Sequence, residues 1–506
     1  MADSASSAAS TEAEATPDTQ SGTPSQTSGG FLDRYFHISE RGSSIPTEIR
    51  AGVVTFFAMA YIIILNPLIL GTGADVNGDV LGTSRVAAAT AFAAGVMTIL
   101  FGVIAKYPFG IAAGLGINTL VAVTFVSVEG LTWPEAMGLV VINGIIIVLL
   151  AVSGFREAVF NSIPGSMKAA IGVGIGLFIS LIGLVDAGFV RRLPDAANTT
   201  VPVGLGIDGS IASWPTAVFC IGLVICGALV VLGVRGGLFI GIVLNTIIAM
   251  VIEAVTGSGP SVGDDGSPNP AGWNLAVPTL PDSLGGVPDL SLLGAIDIFG
   301  AFARIGVLAA TLLVFTLVLA NFFDAMGTMT ALGKQAKLMD NKGSLPGLKK
   351  ALVVEGAGAI VGGASSASSN TVYVDSAAGI ADGARTGLAN VVTGVLFLLA
   401  MFLTPLYEVV PIEAAAPVLV IVGALMMQQI TEIDFSKFYI AFPAFLTIVV
   451  MPFTYSIANG IGVGFIAYVV MNVFAGRAKK IHPLLYIVAI LFVVFFAIDP
   501  VMGALS

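Results

Sequence analysis

Charged residues are scarce in this chain. Only 10% of its 506 residues are Asp, Glu, Lys or Arg and 56% are hydrophobic, whereas a soluble domain usually carries about 25% charged residues. Apolar runs of roughly 17 to 25 residues recur along nearly the whole length, and each can cross a hydrocarbon core of about 30 Å. The composition predicts an all-α polytopic membrane protein in the lipid bilayer, and it argues against nucleic acid as a partner.

Cysteine and histidine are almost absent as well. The two cysteines, Cys220 and Cys226, lie within one apolar run, where a role as small packing residues is favoured over a disulfide or a metal site. The two histidines, His37 and His482, stand alone near segment ends. We therefore expect neither a metal nor a cofactor.

A secretory signal is missing too. No Lys or Arg precedes Arg34, and the Ser-, Thr- and Gly-rich start has no apolar segment, so residues 1–32 are predicted to be a disordered tail. After the tail we predict two halves, residues 45–256 and 301–500. They are separated by a Pro-, Gly- and Asp-rich extracellular linker, residues 257–300, which is too polar to insert.

About 14 spans are expected, seven in each half. Their predicted positions are 50–70, 84–104, 109–127, 136–153, 168–186, 214–233, 236–256, 302–330, 350–366, 368–383, 386–406, 412–428, 437–453 and 456–475. An odd number of spans per half makes the second half enter from the opposite side, which gives two inverted seven-span repeats. A further apolar run, residues 484–498, is a fifteenth span, an interfacial helix, or a sign that one of the late spans is divided differently.

The positive residues predict the orientation, because Lys and Arg in short loops stay cytoplasmic. With the N-terminus inside, all 21 Lys and Arg residues fall on the cytoplasmic side except Arg85, Arg191, Arg192 and Arg304. We therefore place the protein in the cell membrane with its N-terminus in the cytoplasm.

A polar, glycine-bearing segment interrupts the second half at residues 365–383, with the sequence SSASSNTVYVDSAAGIADG. Its β-branched and aromatic residues 371–374 favour a short strand, and Asp375 has the position of a helix cap. Broken backbone survives at membrane depth only inside protein or along a wet cavity, and transporters bind substrate at such breaks. The third span, with GIAAGLGINTLVAVTFV, contains a second break, so the two breaks are expected to meet near the midplane.

Two aspartates are predicted at membrane depth. Asp324 follows a long apolar stretch, where an ionisable group costs roughly 2.5 to 3.5 kcal/mol on insertion scales, and Asp375 stands beside the break. Structural interpretations exist for both: Asp324 paired with Thr328 one turn on, and Asp375 capping a half-helix. Asn118, at the third-span break, suits capping and ligand contact equally. Glu355 is interpreted as a solvated or packing residue near a cytoplasmic end.

A set of short motifs resembles a known family. The motifs are FFAMAYIIILNP, GLGINT, FFDAMGT, TVYVDSAAG followed by ARTGL, and MPFTYSIANGIGVG. Together they resemble the nucleobase–cation symporters, and most closely the AzgA-like adenine/guanine/hypoxanthine permease branch of the xanthine/uracil permease superfamily.

The resemblance implies a core domain of spans 1–4 and 8–11 and a gate domain of spans 5–7 and 12–14, with substrate between short strands in spans 3 and 10. It also implies substrate-binding residues at Asp324, Thr328, Asp375, Ser376, Asn118 and Ala58. Two positions depart from the family pattern, because Asp375 replaces the usual Glu and Val372 a usual Thr. Both departures bear on which purine is preferred.

A purine nucleobase is flat and polar at its edges. Asp324 and Asp375 offer acceptors for its N–H groups, and backbone amides freed at the breaks offer donors. Besides the two acids, the expected binding residues include two aromatic residues that can cover a ring face and two residues of the broken segment: Phe57, Phe323, Tyr373 and Val374. Hydrogen bonds that a wrong base leaves unpaired in a dry pocket would then set specificity.

The expected activity is proton-coupled uptake of a purine nucleobase by alternating access. Burial disfavours a charged carboxylate, so Asp324, or else Asp375, is expected to take up a proton outside and release it inside. The alternatives are a passive channel, a uracil, xanthine or anion permease on the same fold, and an intramembrane aspartyl protease. Anions are disfavoured by the two acids, and neither Asp has the GxGD setting of such a protease. The sequence leaves monomer and homodimer open.

Overall fold

The structure is a computed structural model and describes residues 30–192, 203–263, 267–274, 276–280, 283–340, 345–407 and 409–505. Most of the predicted disordered tail, up to residue 29, lies outside these residues. A helix already begins at Phe31, inside the range predicted for the tail.

The described residues are mostly helical, as predicted. The elements of the first half are α1 (Phe31–Phe36), α2 (Ile45–Met59), α3 (Ile62–Leu70), α4 (Thr83–Ile104), β1 (Ile111–Ala113), α5 (Leu115–Thr119), a π-helix (Leu120–Val128), α6 (Trp133–Val152), α7 (Phe155–Ser162), α8 (Gly165–Asp186), β2 (Val190–Arg192), β3 (Val203–Leu205), α9 (Trp214–Val231) and α10 (Gly237–Thr256). Those of the second half are α11 (Gly300–Arg304), α12 (Val307–Gln335), α13 (Leu348–Ala364), β4 (Asn370–Val372), α14 (Ser376–Ala381), α15 (Gly387–Ala400), α16 (Thr404–Tyr407), α17 (Ile412–Met426), α18 (Phe438–Phe453), α19 (Ile457–Phe474) and α20 (Pro483–Leu505).

Local sequence explains where several helices begin. Ser44 at α2 and Ser213 at α9 each accept a hydrogen bond from a first-turn N–H, and each is followed by a proline in that turn. At α6, Thr132 and Glu135 form a reciprocal capping box. These bonds satisfy N–H groups that have no acceptor within the helix.

Ten helices in the described part of the chain are long and apolar enough to cross a membrane by length and composition, and three shorter apolar helices accompany them. The third and tenth predicted spans are broken, so they are not among the ten. The apolar run at residues 484–498 is helical, and it packs on α19 with the ring centroids of Phe465 and Phe492 6.3 Å apart. The chain is a polytopic membrane protein, and the count of 14 spans stays a prediction.

The helices pack in two groups. α2, α3, α4 and α6 pack with α12 to α15, whereas α8, α9 and α10 pack with α17, α18 and α19. The first set, which we call the core group, contains spans 1–4 and 8–11, and the second, the gate group, contains spans 5–7 and 12–14. This division matches the expected core and gate.

Close backbone contact within the core group depends on glycine. A Cβ atom at Gly387 on α15 would clash with the carbonyl oxygen of Gly102 on α4. Small residues let membrane helices approach in this way.

Two short strands connect the halves at the broken spans. β1 pairs antiparallel with β4, so that Ile111 lies opposite Val372 and Ala113 opposite Asn370. Both strands are fully buried, and each is followed by a short helix, α5 or α14. β2 and β3 form a separate hairpin.

The described parts of the predicted linker fold back onto the spans. The Trp273 side chain is 1% exposed, and its Nε1 donates to Glu253 on α10 at 2.7 Å. The Asn274 backbone N–H donates to Glu413 on α17 at 2.9 Å. The first part of the linker therefore packs on the gate group. Its last part packs on the core group, where the Gly294 N–H donates to the Ala364 carbonyl at 2.7 Å and the Asp297 N–H to the Pro134 carbonyl at 2.9 Å. The extracellular location of the linker and the repeat boundaries remain predictions.

Candidate functional site

Span 10 is broken as predicted, with small differences in position. β4 begins at Asn370, one residue before the predicted strand, and α14 begins at Ser376. Asp375 occupies the N-cap position of α14 but makes no side-chain cap hydrogen bond, so the capping interpretation is wrong. Its Oδ2 instead accepts a 2.9 Å hydrogen bond from the hydroxyl of Tyr61, which lies between α2 and α3.

Ser376 and Tyr373 connect the two broken spans. Ser376 Oγ accepts a hydrogen bond from the Gly110 N–H at 2.9 Å and donates one to the Tyr373 carbonyl at 2.7 Å. The Tyr373 hydroxyl donates to the Ala113 carbonyl at 2.7 Å. Ser376 is fully buried and does not line the cavity described next, so it positions the backbone of the site.

A cavity lies between the two breaks and the gate group. Six of the predicted residues line it: Phe323, Asp324, Thr328, Tyr373, Val374 and Asp375. The side chains of Asp324 and Asp375 are half-buried and border the same space. The structure therefore brings the two predicted acids together.

The cavity is suited to a flat molecule with polar edges. Ile171 and Ile175 on α8 and Phe323 on α12 give it apolar walls, and the two carboxylates give acceptors. Leu115 to Ile117 line it where α5 begins, and the first N–H groups of a helix have no acceptor within it. Acceptors and free donors thus lie on the core side of the cavity.

Three further predicted residues lie elsewhere. Phe57 is 43% exposed, and its ring centroid is 6.1 Å from that of Phe239, so it does not cover a base in this cavity. Ala58 lines a second cavity. Asn118 is fully buried and does not line the first cavity. Its Nδ2 donates to Asn66 Oδ1 at 2.6 Å, which ties span 3 to span 1.

Sequence reasoning missed four polar side chains that line the cavity. Tyr61 and Thr371 come from the core group, and Lys168 and Gln429 come from the gate group. Tyr61 had a signal, because it is a polar aromatic residue in the middle of the apolar motif FFAMAYIIILNP. Lys168 was used only as one of the positive residues that predict orientation. Gln429 follows an apolar span, and no local sequence pattern marks it as a binding residue.

The second cavity adjoins the first and contains an ion pair between the two helix groups. Its lining shares Val374 and Asp375 with the first cavity. Asp382, at the end of α14, accepts from Arg50 Nε on α2 at 2.7 Å and also pairs with Arg235, in the turn between α9 and α10. Arg235 therefore links the gate group to the core group on the side predicted to be cytoplasmic.

Glu355 is neither solvated nor a simple packing residue, which corrects its interpretation from sequence. Its Oε2 lies 2.5 Å from Arg156 Nη1, and both side chains have no solvent exposure. Arg156 was counted among cytoplasmic loop residues, and it is instead buried in the core group. This burial could not be predicted locally, because the opposite charge that neutralises each side chain comes from a distant part of the sequence.

No group of three or more His, Cys, Asp or Glu residues in the described ranges is placed to hold a metal ion. Cys220 and Cys226 are free thiols. The residues of the cavity are suited to an organic ligand, through acceptors, apolar walls and backbone donors.

A polytopic membrane protein with a cavity bordered by two carboxylates at two broken spans has the architecture of a secondary transporter. A sequence profile described as Permease family, that of the xanthine/uracil permeases, matches residues 46–463, and the chain belongs to this family. It is 37% identical to the guanine/hypoxanthine permease PbuG of Bacillus subtilis over 92% of this chain and 99% of that protein. It is 34% identical to the adenine permease AdeP of Escherichia coli K12 over 92% of this chain and 96% of that protein.

A solved structure shares the fold. The transmembrane domain of a cyanobacterium bicarbonate transporter, BicA, matches with a TM-score of 0.55 at 14% identity, over 84% of this chain and 97% of that one. The chain is thus a permease-family membrane transporter, as the motif resemblance predicts, and the protease alternative is wrong.

Proposed function

We propose that this permease imports purine nucleobases together with protons by alternating access. The observation that carries the proposal is that Asp324 and Asp375 line one cavity at the junction of the two broken spans. The names of relatives such as PbuG and AdeP support purines as the substrate class.

Purine recognition would use both edges and both faces of the ring. Asp375 keeps Oδ1 for a ring N–H or an exocyclic amine, because Oδ2 already accepts the Tyr61 hydroxyl. Asp324 offers a second acceptor from α12, and N–H groups at the start of α5 suit ring nitrogens or a carbonyl oxygen. Phe323 and Ile175 would contact the faces of the ring. A base lacking the matching N–H groups would leave a carboxylate unpaired, which is costly in a dry site.

Proton coupling is assigned first to Asp324. A charged side chain at membrane depth is costly. An acid that is protonated while the cavity is closed, and that loses its proton when the cavity opens to the other side, can therefore carry a proton together with the substrate. Asp375 is already oriented by Tyr61, which suits a residue that holds the base. Movement of the core group against the gate group would expose the cavity to each side in turn.

Uptake in a strain without its own nucleobase permeases tests the proposal. We expect accumulation of labelled adenine, guanine or hypoxanthine that a proton ionophore abolishes and that replacement of sodium leaves unchanged. The panel includes uracil and xanthine, the substrates of the alternative on the same fold. Accumulation of uracil alone would refute the purine assignment, ionophore-resistant accumulation would refute proton coupling, and equilibration without accumulation would indicate a passive channel.

A further inference from the structure

The ion pair between Arg156 and Glu355 is buried one helix away from the cavity. Glu355 belongs to α13 and Arg156 to the start of α7, and their nearest charged atoms are 2.5 Å apart with no solvent exposure on either side chain. Removing two charges from water is costly, and the attraction between them compensates only when their geometry is good. A pair retained at such a cost beside a functional site calls for an explanation beyond packing.

The guanidinium of Arg156 also contacts the turn of α12 that precedes Asp324. Its Nη2 approaches the Asn321 carbonyl oxygen at 3.5 Å, and its Cζ lies 5.5 Å from the centre of the Phe322 ring. Asn321 is about one helical turn before Asp324. Arg156 therefore connects α13 to the part of α12 that carries the cavity acid.

Because Arg156 pairs with Glu355 and also reaches the Asn321 carbonyl one turn before Asp324, the two carboxylates belong to the same part of the core group. Two neighbouring buried carboxylates without a counter-ion compete for the same proton. Arg156 prevents this competition, because Glu355 and Arg156 together have no net charge.

We infer that Arg156 and Glu355 are positioning residues for proton coupling: Arg156 keeps Glu355 ionised, so that Asp324 is the acid in this part of the core group that exchanges the proton. The inference rests on the proposed function, since it requires proton-coupled uptake. The other titratable groups around Asp324 line the same cavity and stay unchanged in the variants below: Tyr61 from span 1, Lys168 from α8, and Tyr373 and Asp375 from span 10.

Two single variants test the inference because their expected effects have opposite signs. Glu355→Gln leaves a lone cation beside Asp324, which favours the ionised aspartate, so the pH of half-maximal uptake should fall by about one unit. Arg156→Gln leaves a lone carboxylate, which disfavours a second negative charge, so that pH should rise by about one unit. The double variant, Arg156→Gln with Glu355→Gln, restores zero net charge and should return the pH profile to that of the wild type.

Glu135→Gln is a matched control. Glu135 on α6 also pairs with an arginine, Arg304, at 2.7 Å, and it does not line the cavity. We expect this variant to keep the wild-type pH profile, because it removes a Glu–Arg pair away from Asp324.

The outcomes separate the two proposals. A wild-type protein without purine uptake refutes the proposed function. If the wild type transports and either single variant keeps its pH profile, or both shift in the same direction, the inference about the pair is overturned. If one single variant does not fold, the other single variant and the double variant still test the inference. If the pair were purely structural, removing both charges would not restore the wild-type pH profile.

Discussion

The Tyr61 hydroxyl lies 2.9 Å from Asp375 Oδ2, so a side chain at the junction of α2 and α3 orients the acid at the break in span 10. Span 1 and span 10 are far apart in sequence, and this hydrogen bond joins them at the wall of the cavity. It leaves one carboxylate oxygen of Asp375 for substrate and holds the other in place.

Loss of this hydrogen bond should weaken substrate binding. Tyr61→Phe removes the hydroxyl and keeps the ring, and a hydrogen bond to a charged group contributes about 1.5–3 kcal/mol. We expect KM for the transported purine to rise by roughly tenfold or more, with a smaller change in maximal rate. Tyr486→Phe is the control, because that hydroxyl donates to the Ala478 carbonyl at 3.0 Å and does not line the cavity. An unchanged KM in Tyr61→Phe would contradict a binding role for the oriented Asp375.

Substitutions of the two cavity acids should have different effects on transport. Asp375→Asn exchanges an acceptor for an amide at the proposed base-binding position, so both uptake and counterflow of labelled purine should be lost. Asp324→Asn keeps the shape and removes the titratable group, so counterflow should persist while accumulation against a gradient is lost. Asp434→Asn, an equal change on an exposed loop aspartate paired with Lys437, should behave as wild type. Full accumulation by Asp324→Asn would contradict its coupling role.

The contact between Arg235 and Asp382 should slow the movement between the helix groups. Arg235→Gln removes the link from the gate group, and since its side chain is 61% exposed the pair is worth about 0–1 kcal/mol. We expect counterflow to accelerate by up to about fivefold without a change in KM. Arg50→Gln is the matched control, because Arg50 and Asp382 both belong to the core group and move together. Equal rates in the wild type and Arg235→Gln would show that this contact does not limit the movement.

Helices α4 and α15 are so close at Gly387 that a side chain added there should destabilise the protein. Gly387→Ala places a methyl group against the Gly102 carbonyl, and overpacking of this kind costs about 1–3 kcal/mol, so the thermal unfolding temperature in detergent should fall. Gly227→Ala on α9 is the control, because the nearest atom to its added Cβ is 3.8 Å away and alanine favours the helix by up to about 1 kcal/mol. A Gly387→Ala protein as stable as the wild type would contradict this packing.

Much of the site was predictable because its residues violate local rules. Asp324 is an acid in an apolar span, and residues 365–383 are a polar break between apolar segments. Both are recognisable from sequence, because polar and charged groups are costly in the hydrocarbon of a bilayer. The breaks of spans 3 and 10 were expected to meet, and the pairing of Ile111 with Val372 shows that they do. Phe57, in contrast, was predicted from its aromatic ring alone, and it does not line the cavity, because residue type does not determine the direction of a side chain.

The sequence by itself determined that this chain spans a membrane, where spans 3 and 10 break and that Asp324 and Asp375 are exceptional acids in apolar surroundings, because each of these follows from the cost of polar groups in lipid over a few consecutive residues. Only the tertiary structure decided that Tyr61 orients Asp375, that Arg156 neutralises Glu355 and that Arg235 meets Asp382. Each of these contacts joins residues distant in the chain, and their partners depend on how the core and gate groups pack.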